Sequence, residues 1–399
     1  MSRRSPFYHW QEMVVNAFAQ QHGVLSRPQA YGLAILSFGI VRAASCALTT
    51  VAGKLSFLGS DNAVLQRLKY WLRDGPDKRF PGAPQIEVRA AFGPLIAWVL
   101  ALWQGTHLVL AFDATTLRDD LLILALALLY RGTAIPLAWV FLPANRKRAW
   151  LPVILELLKS VAASIPTRYE VLLLADRGLY SPRLYRSLRR RHWHLLLRVN
   201  NQARFRPHGQ AWRSLGTLLP GAGHQWRGRG HFSKKNPLAC TLVAFWAVDQ
   251  QEPWYLVTDL GPQRALAAWY GLRVWIEEGF RVLKSLGWQW QRSRITDPQR
   301  GERLWLALAV ATVWTLAYGT WVEDQRDGPP SPATLASAAP SPRGVEEPAG
   351  EYVPPTRPRL KSIFRQGLER LAETIWGHKH PLRRLRLVPE PLTGETENG

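Results

Sequence analysis

Three acidic residues stand where a sheet and a helix can hold them for chemistry. Asp113 follows the apolar run Leu108-Val-Leu-Ala-Phe112, and Asp176 follows Val171-Leu-Leu-Leu-Ala175. Such short apolar runs read as buried strands, so each carboxylate is predicted at a strand end, fixed by the sheet and facing an open rim. Two such strands side by side can present both carboxylates to a pair of Mg²⁺ ions, for which Mn²⁺ can substitute. Ions held there activate a water or a 3′-hydroxyl and stabilise the leaving oxygen of a phosphodiester. Taken singly, an Asp after an apolar run as often caps the strand or the next turn.

The third acid comes from a helix. In Trp269–Lys284, at about 100° per residue from Tyr270, Arg273 lies near about 300°, Glu277 near about 340°, Arg281 near about 20° and Lys284 near about 320°. These form one narrow polar stripe, while Glu278 falls off it and Ile276, Phe280 and Leu283 pack elsewhere. The periodicity selects Glu277 as the third metal ligand, with Arg273, Arg281 and Lys284 beside it for phosphates. An ordinary surface pair between Glu277 and Arg281 is the plainer alternative. A stripe of Tyr, Arg, Glu, Arg and Lys in an otherwise apolar helix favours the site.

Asp113 in Phe-Asp-Ala-Thr-Thr, Asp176 in Leu-Ala-Asp-Arg-Gly-Leu-Tyr, and Tyr270-x2-Arg273-x3-Glu277-x6-Lys284 resemble the DDE transposases of bacterial insertion sequences. The last spacing is similar to the Tyr-Arg-Glu-Lys signature of the branch named for insertion sequence four. The resemblance covers roughly residues 105–320. It implies a ribonuclease-H-like catalytic domain with a β insertion before the final Glu helix. It also implies Asp113, Asp176 and Glu277 as ligands of two metal ions, and Tyr270, Arg273 and Lys284 as contacts to the phosphates of a transposon end. Cut-and-paste transposition, often through a hairpinned end with a flipped base stacked on Trp, is the implied reaction. Trp212, Trp226, Trp288 and Trp290 are the candidates for that stacking. Double-stranded DNA, both ends and target, is the implied partner, with a homodimer on DNA.

The charge pattern points the same way. The chain has 399 residues and a formal net charge of +22, an excess that favours a polyanion because Lys and Arg on phosphates release counterions. Residues 177–248 contain fourteen Lys and Arg and no Asp or Glu, whereas solvated faces normally mix both signs. Arg177, Arg204, Arg206, Arg227 and Arg229 are therefore read as phosphate contacts, with interleaved Trp able to stack on unpaired bases. Arg177 could also orient Asp176, and Gly178 could allow a tight turn or a close approach of DNA.

The elements that must carry these residues read as α/β. Residues 1–80 form a small helical domain with helices around Ala30–Lys54 and Asn62–Arg73, the second capped by Ser60 or Asp61, and DNA contact is expected of it. Residues 88–325 form the catalytic domain. Its strands are expected to Phe112, at Leu121–Tyr130, Ala134–Leu142 and Val171–Ala175, and at His194–Val199. Helices are expected over Trp150–Ser164 and from Ser181-Pro182 to Arg191. Residues 200–260 are a β-rich insertion with strands at Leu238–Val248 and Trp254–Thr258. One long helix is expected over Gln263–Leu286 and an apolar one over Arg300–Val322. Residues 327–357 read as a flexible Pro/Ser/Ala linker, and 358–399 as a basic segment with an amphipathic helix at Leu360–Trp376.

Several classes are set aside. Cys46 and Cys240 are too few and too apolar in setting for a disulfide framework, so a reducing cytoplasmic location among nucleoid DNA is expected. No glycine-rich phosphate loop or serine-nucleophile motif occurs. Leu304–Trp321 reaches the lower limit for a membrane span but reads as a buried helix, and no membrane partner is expected. His107 reads as a core or edge residue, and His192 and His194 as basic surface. Competing functions are a structure-selective nuclease of the same fold and a catalytically decayed DNA-binding relative.

Overall fold

The computed structural model describes residues 5–79, 85–118, 120–144, 150–327, 361–377 and 385–390. The expected linker and most of the basic run after Trp376 lie outside them. The N-terminal helices are α1 (Pro6–Val15), α2 (Arg27–Ala43), α3 (Leu48–Gly53) and α4 (Asp61–Leu72). Ser60 caps α4 by accepting from Ala63 N, as its position before Asp61 predicts, and Ser26 with Gln29 forms a capping box on α2. A further helix, α5 (Val88–Leu102), was not anticipated. Gly93 and Pro94 interrupt its pattern, yet its apolar surface is buried.

Strands β1 (His107–Leu117), β2 (Leu121–Tyr130) and β3 (Thr133–Pro143) come next, then α6 (Trp150–Ala162), β4 (Glu170–Ala175), α7 (Pro182–Arg189) and β5 (His194–Arg198). The β2–β3 hairpin closes through Arg131 and Gly132, both at positive φ, the two-residue turn that suits strand twist. Strands β6 (Arg204–Pro207), β7 (Arg213–Ser214), β8 (Gln225–Phe232), β9 (Leu238–Phe245) and β10 (Trp254–Thr258) complete one ten-stranded sheet. Its order is β3-β2-β1-β4-β5-β10-β9-β8-β6-β7, with β1, β4 and β5 parallel and the remaining neighbours antiparallel. Residues 200–260 thus extend the sheet, because β10 returns to pair with β5.

The expected single helix over Gln263–Leu286 is broken. It consists of α8 (Ala268–Gly271), α9 (Val274–Arg281) and a π-helical turn at Val282–Leu286. The pillar of the fold is α10 (Pro298–Asp327), against which α11 (Ile363–Trp376) packs. By length and composition α10 could cross a membrane, but 89% of its apolar window is buried inside the protein. Trp314 stacks on Trp10 of α1 at 4.4 Å, Trp305 meets Phe141 of β3 edge-on at 5.3 Å, and buried Arg303 donates to Leu72 O and to Asp74. One core therefore joins the N-terminal helices, the sheet and the C-terminal helix. Gly367 of α11 lets two backbones touch, since a Cβ there would run into Thr315 O. Gly367→Ala should cost about 1–3 kcal/mol by overpacking, read as a lower urea midpoint, and an unchanged midpoint would show that the helices separate freely.

His194 opens β5 with Nδ1 donating to Asp259 Oδ2 at 2.8 Å and Nε2 3.5 Å from Glu170. It belongs to an ion-pair cluster, which corrects its reading as basic surface. The hydrogen bond to Asp259 raises its pKa against the opposing effect of burial. A raised folded pKa stabilises fully below the unfolded value of about 6.5, and that contribution disappears as pH rises through the folded value. His194→Gln should accordingly destabilise most at pH 5–6 and progressively less toward pH 9; a pH-independent difference in melting temperature would remove the charged imidazole from the account.

Candidate active site

Asp113 lies inside β1, not at its end. The strand continues to Leu117 because β2 pairs with it from Leu110 to Leu117, Ala125 standing opposite Asp113. On the other edge β4 stops at Ala175, the partner of Phe112. Asp176 therefore follows β4 at the level of Asp113, where the parallel ladder ends. The two carboxylates share a rim for a reason of register, although only one of them terminates a strand.

The break between α8 and α9 brings the third group in. Arg273 sits at the break, with Nη1 3.2 Å from Asp113 Oδ2 and 2.8 Å from Glu277 Oε1, and Nη2 3.7 Å from Asp176 Oδ2. Tyr270 donates its hydroxyl to Asp176 Oδ1 at 3.3 Å, and Trp254 of β10 holds the phenol ring edge-on at 5.2 Å. Asp113 Oδ1 also accepts from Ala114 N. Asp113, Asp176, Glu277, Tyr270 and Arg273 are thus brought together around one guanidinium.

The electrostatics follow from this crowding. Burial raises the Asp113 pKa, as do Glu277 and Asp176, while Arg273 and the Ala114 N–H oppose them. Burial alone would lower the Arg273 pKa, but Asp113, Tyr270 and Asp176 hold it above its ordinary value. Burial, followed by Asp176, pushes the Tyr270 phenol up, so it stays a neutral donor.

Arg281 and Lys284 are not part of this cluster. Arg281 is exposed and pairs with Glu278 at 2.8 Å. The π turn that begins at Val282 adds a residue to the turn, so the phase counted from Tyr270 no longer holds at Lys284. Lys284 is half-buried and its pKa is lowered by desolvation. Arg177 is exposed in a short turn directly after Asp176. Gly178 has no positive φ to explain it, and a Cβ there would meet open space.

The basic insertion residues form a surface. Arg206 pairs across strands with His231, so by strand alternation Arg204, Arg206, Arg227 and Arg229 share one face, and all four are exposed. Trp212 and Trp226 remain partly exposed, the first under Arg206 at 5.3 Å and the second edge-on to Phe205 at 5.7 Å. Trp288 and Trp290 are wholly buried. Trp288 donates to Thr312 and Trp290 packs edge-on to Trp305, so neither can stack on a base without leaving the core. Sequence reasoning missed the role of Trp254, whose place beside Tyr270 depends on β10 pairing with β5.

The profile of the family described as "Transposase DDE domain" matches residues 104–314. The chain belongs to this family. The match spans β1 through most of α10, including Asp113, Asp176, Tyr270, Arg273 and Glu277. No curated protein matches the chain. Among solved structures, the cryo-EM structure of a piggyBac transposase synaptic complex with hairpin DNA aligns with a TM-score of 0.37 at 10% identity, over 86% of this chain and 84% of that one. That score is too low to bear on fold or function.

Three carboxylates converging on one guanidinium form an all-oxygen donor set, the kind that suits a hard divalent cation. Among the described residues they do not already surround a common point as a metal cage; Arg273 stands between them. A cation entering there competes with Arg273 for the same oxygens. Arg273→Gln should lower stability in EDTA by about 1–3 kcal/mol, by leaving charged groups without their donor. Mn²⁺ should then raise the variant's melting temperature more than the wild type's, since a ligand stabilises by its affinity for the folded state. An equal or smaller rise would mean that Arg273 and the ion do not compete.

Proposed function

We propose that this DDE-family chain is a cut-and-paste DNA transposase of the insertion-sequence-four branch, using Asp113, Asp176 and Glu277 to hold two Mg²⁺ ions. The observation that carries the reading is the meeting of all three acids on Arg273 beside Tyr270, the positions that its Tyr-Arg-Glu-Lys spacing singles out. The strand order β3-β2-β1-β4-β5, with only β2 antiparallel to its neighbours, supports a ribonuclease-H-like catalytic core.

When bound, the ions activate the attacking oxygen and stabilise the departing one. The protein's own groups bind and orient. Arg273, once drawn to a DNA phosphate, releases the carboxylates; Tyr270, kept protonated, donates to a phosphate oxygen; Lys284 and Arg281 reach the backbone farther along. In cleavage a water oxygen bonds to phosphorus, the P–O3′ bond breaks, and the 3′-oxygen departs with a proton. The exposed face bearing Arg204, Arg206, Arg227 and Arg229, with Arg177 at the rim, holds the transposon end, and Trp212, under Arg206, stacks a flipped base, whereas Trp226 lies on the other face of β8 against Phe205. We further propose a homodimer on paired ends, DNA contact by the N-terminal helices, and action on cytoplasmic, nucleoid DNA.

Excision of the coding region with its native flanking DNA tests this reading. Glu277→Gln should lower excision on the order of 10³-fold, the loss of several kcal/mol of charge stabilisation, while DNA binding by the purified variant stays at the wild-type level. Cleavage and binding lost together would make Glu277 structural, and purified protein that cuts with Mg²⁺ but never joins would favour a nuclease. Arg273→Ala should weaken binding and reduce the salt slope by about one phosphate contact.

A further inference from the structure

A second basic track lies on another side of the molecule. Helices α6 and α7 flank an open groove of about 700 Å³ lined by Glu156, Lys159, Arg183, Ser187, Arg190 and Arg191, with Pro152 and Leu155. Its one carboxylate, Glu156, pairs with Arg89 at 3.3 Å. Among the described residues, no carboxylate lies within ion-pair reach of Lys159, Arg183 or Arg190, and all three are exposed. Arg191 is committed to Ser187, donating to its carbonyl and hydroxyl oxygens at 2.7 Å. Arg183, Ser187 and Arg190 are spaced i, i+4, i+7, on one helix face. The two arginines are about 10.5 Å apart along the axis, roughly three base steps of one DNA strand.

Helix α6 also lines a smaller groove of about 290 Å³, together with Gly178–Ser181, the residues that follow Asp176 within a few positions. Lys159, Arg183 and Arg190 thus lie on α6 and α7, elements joined to the carboxylate rim by the chain after Asp176, and on none of α8, α9 or β6–β8, the elements assigned to the transposon end. A joining reaction brings two duplexes to one set of carboxylates and needs two tracks. We infer that the α6–α7 groove holds the phosphodiester backbone of the target duplex. The inference rests on the transposase reading. In the joining step the 3′-hydroxyl oxygen of the end bonds to a target phosphorus, the target P–O3′ bond breaks, and the hydroxyl proton leaves with the released 3′-oxygen.

The test uses the full chain, a donor fragment carrying the coding region with its native flanks, and a random-sequence plasmid as target. The combined variant Lys159→Glu, Arg183→Glu, Arg190→Glu should cut donor ends within about twofold of wild type and join them at least about tenfold less. Its salt slope on a random duplex should fall by about 3, one unit per lost phosphate contact. Joining at the wild-type level overturns the inference. So does cleavage that falls in step with joining, because the groove then holds the end. A wild type that cuts no donor fails the transposase reading instead, and an unchanged salt slope then overturns the groove on its own. Should the triple Glu variant not fold, the Gln triple, which keeps most of each side-chain stem, is read by the same outcomes.

Discussion

The guanidinium of Arg273 gathers Asp113, Asp176 and Glu277 within 4 Å of one side chain. Three carboxylates at such range repel one another, and burial already raises Asp113. Without a cation among them they would splay or take up protons. The site is therefore preformed only because a cation from the chain holds it, and any other cation has to take that place. On the proposed reading, a DNA phosphate would offer Arg273 an anion of its own, and binding of the polyanion and exposure of the carboxylates would be one linked event.

Arg273 stands where the helix tightens. Leu272 and Arg273 keep helical dihedrals, but the bonds here run i to i+3, from Arg273 N to Tyr270 O and from Ile276 N to Arg273 O, so Arg273 sits between Tyr270 and Glu277. The tightened turn is held by packing from outside the segment. Trp254 presses on Tyr270, Gly279 permits α9 to approach Ala134 of β3, and the Trp288–Trp290 segment beyond the π turn is buried against α10. The pillar α10 thus fixes the site at a distance through aromatic contacts.

Much of this was legible in residue types and spacing. Apolar runs before Asp113 and Asp176 mark strands whatever the tertiary context, and the Arg131-Gly132 turn marks its hairpin. The polar stripe placed Glu277 rather than Glu278 beside Arg273, and the two meet at 2.8 Å. What failed has physical causes. Periodicity counted through a helix assumes constant phase, and the π turn at Val282–Leu286 removes that assumption for Lys284. Trp212 and Trp226 look like Trp288 and Trp290 in composition, and only packing decides which pair is buried. Strand β8 is rich in Arg and Gly, with little apolar alternation to announce it, and α5 is disguised by Pro94.

The way residues 200–260 join the sheet matters more than their being β-rich. A separate module would place its arginines at the end of a hinge. Here β10 pairs with β5, β5 with β4, and β4 with β1, so backbone hydrogen bonds connect the Arg-bearing strands to Asp113 without interruption. A phosphate held on Arg227 or Arg229, as proposed, would stand in a fixed relation to the carboxylate rim, set by strand spacing of about 4.8 Å per step. Rigid placement of that kind is what in-line attack at one phosphodiester demands, since misplacement of the reacting atoms by about 1 Å can cost on the order of 10²-fold in rate.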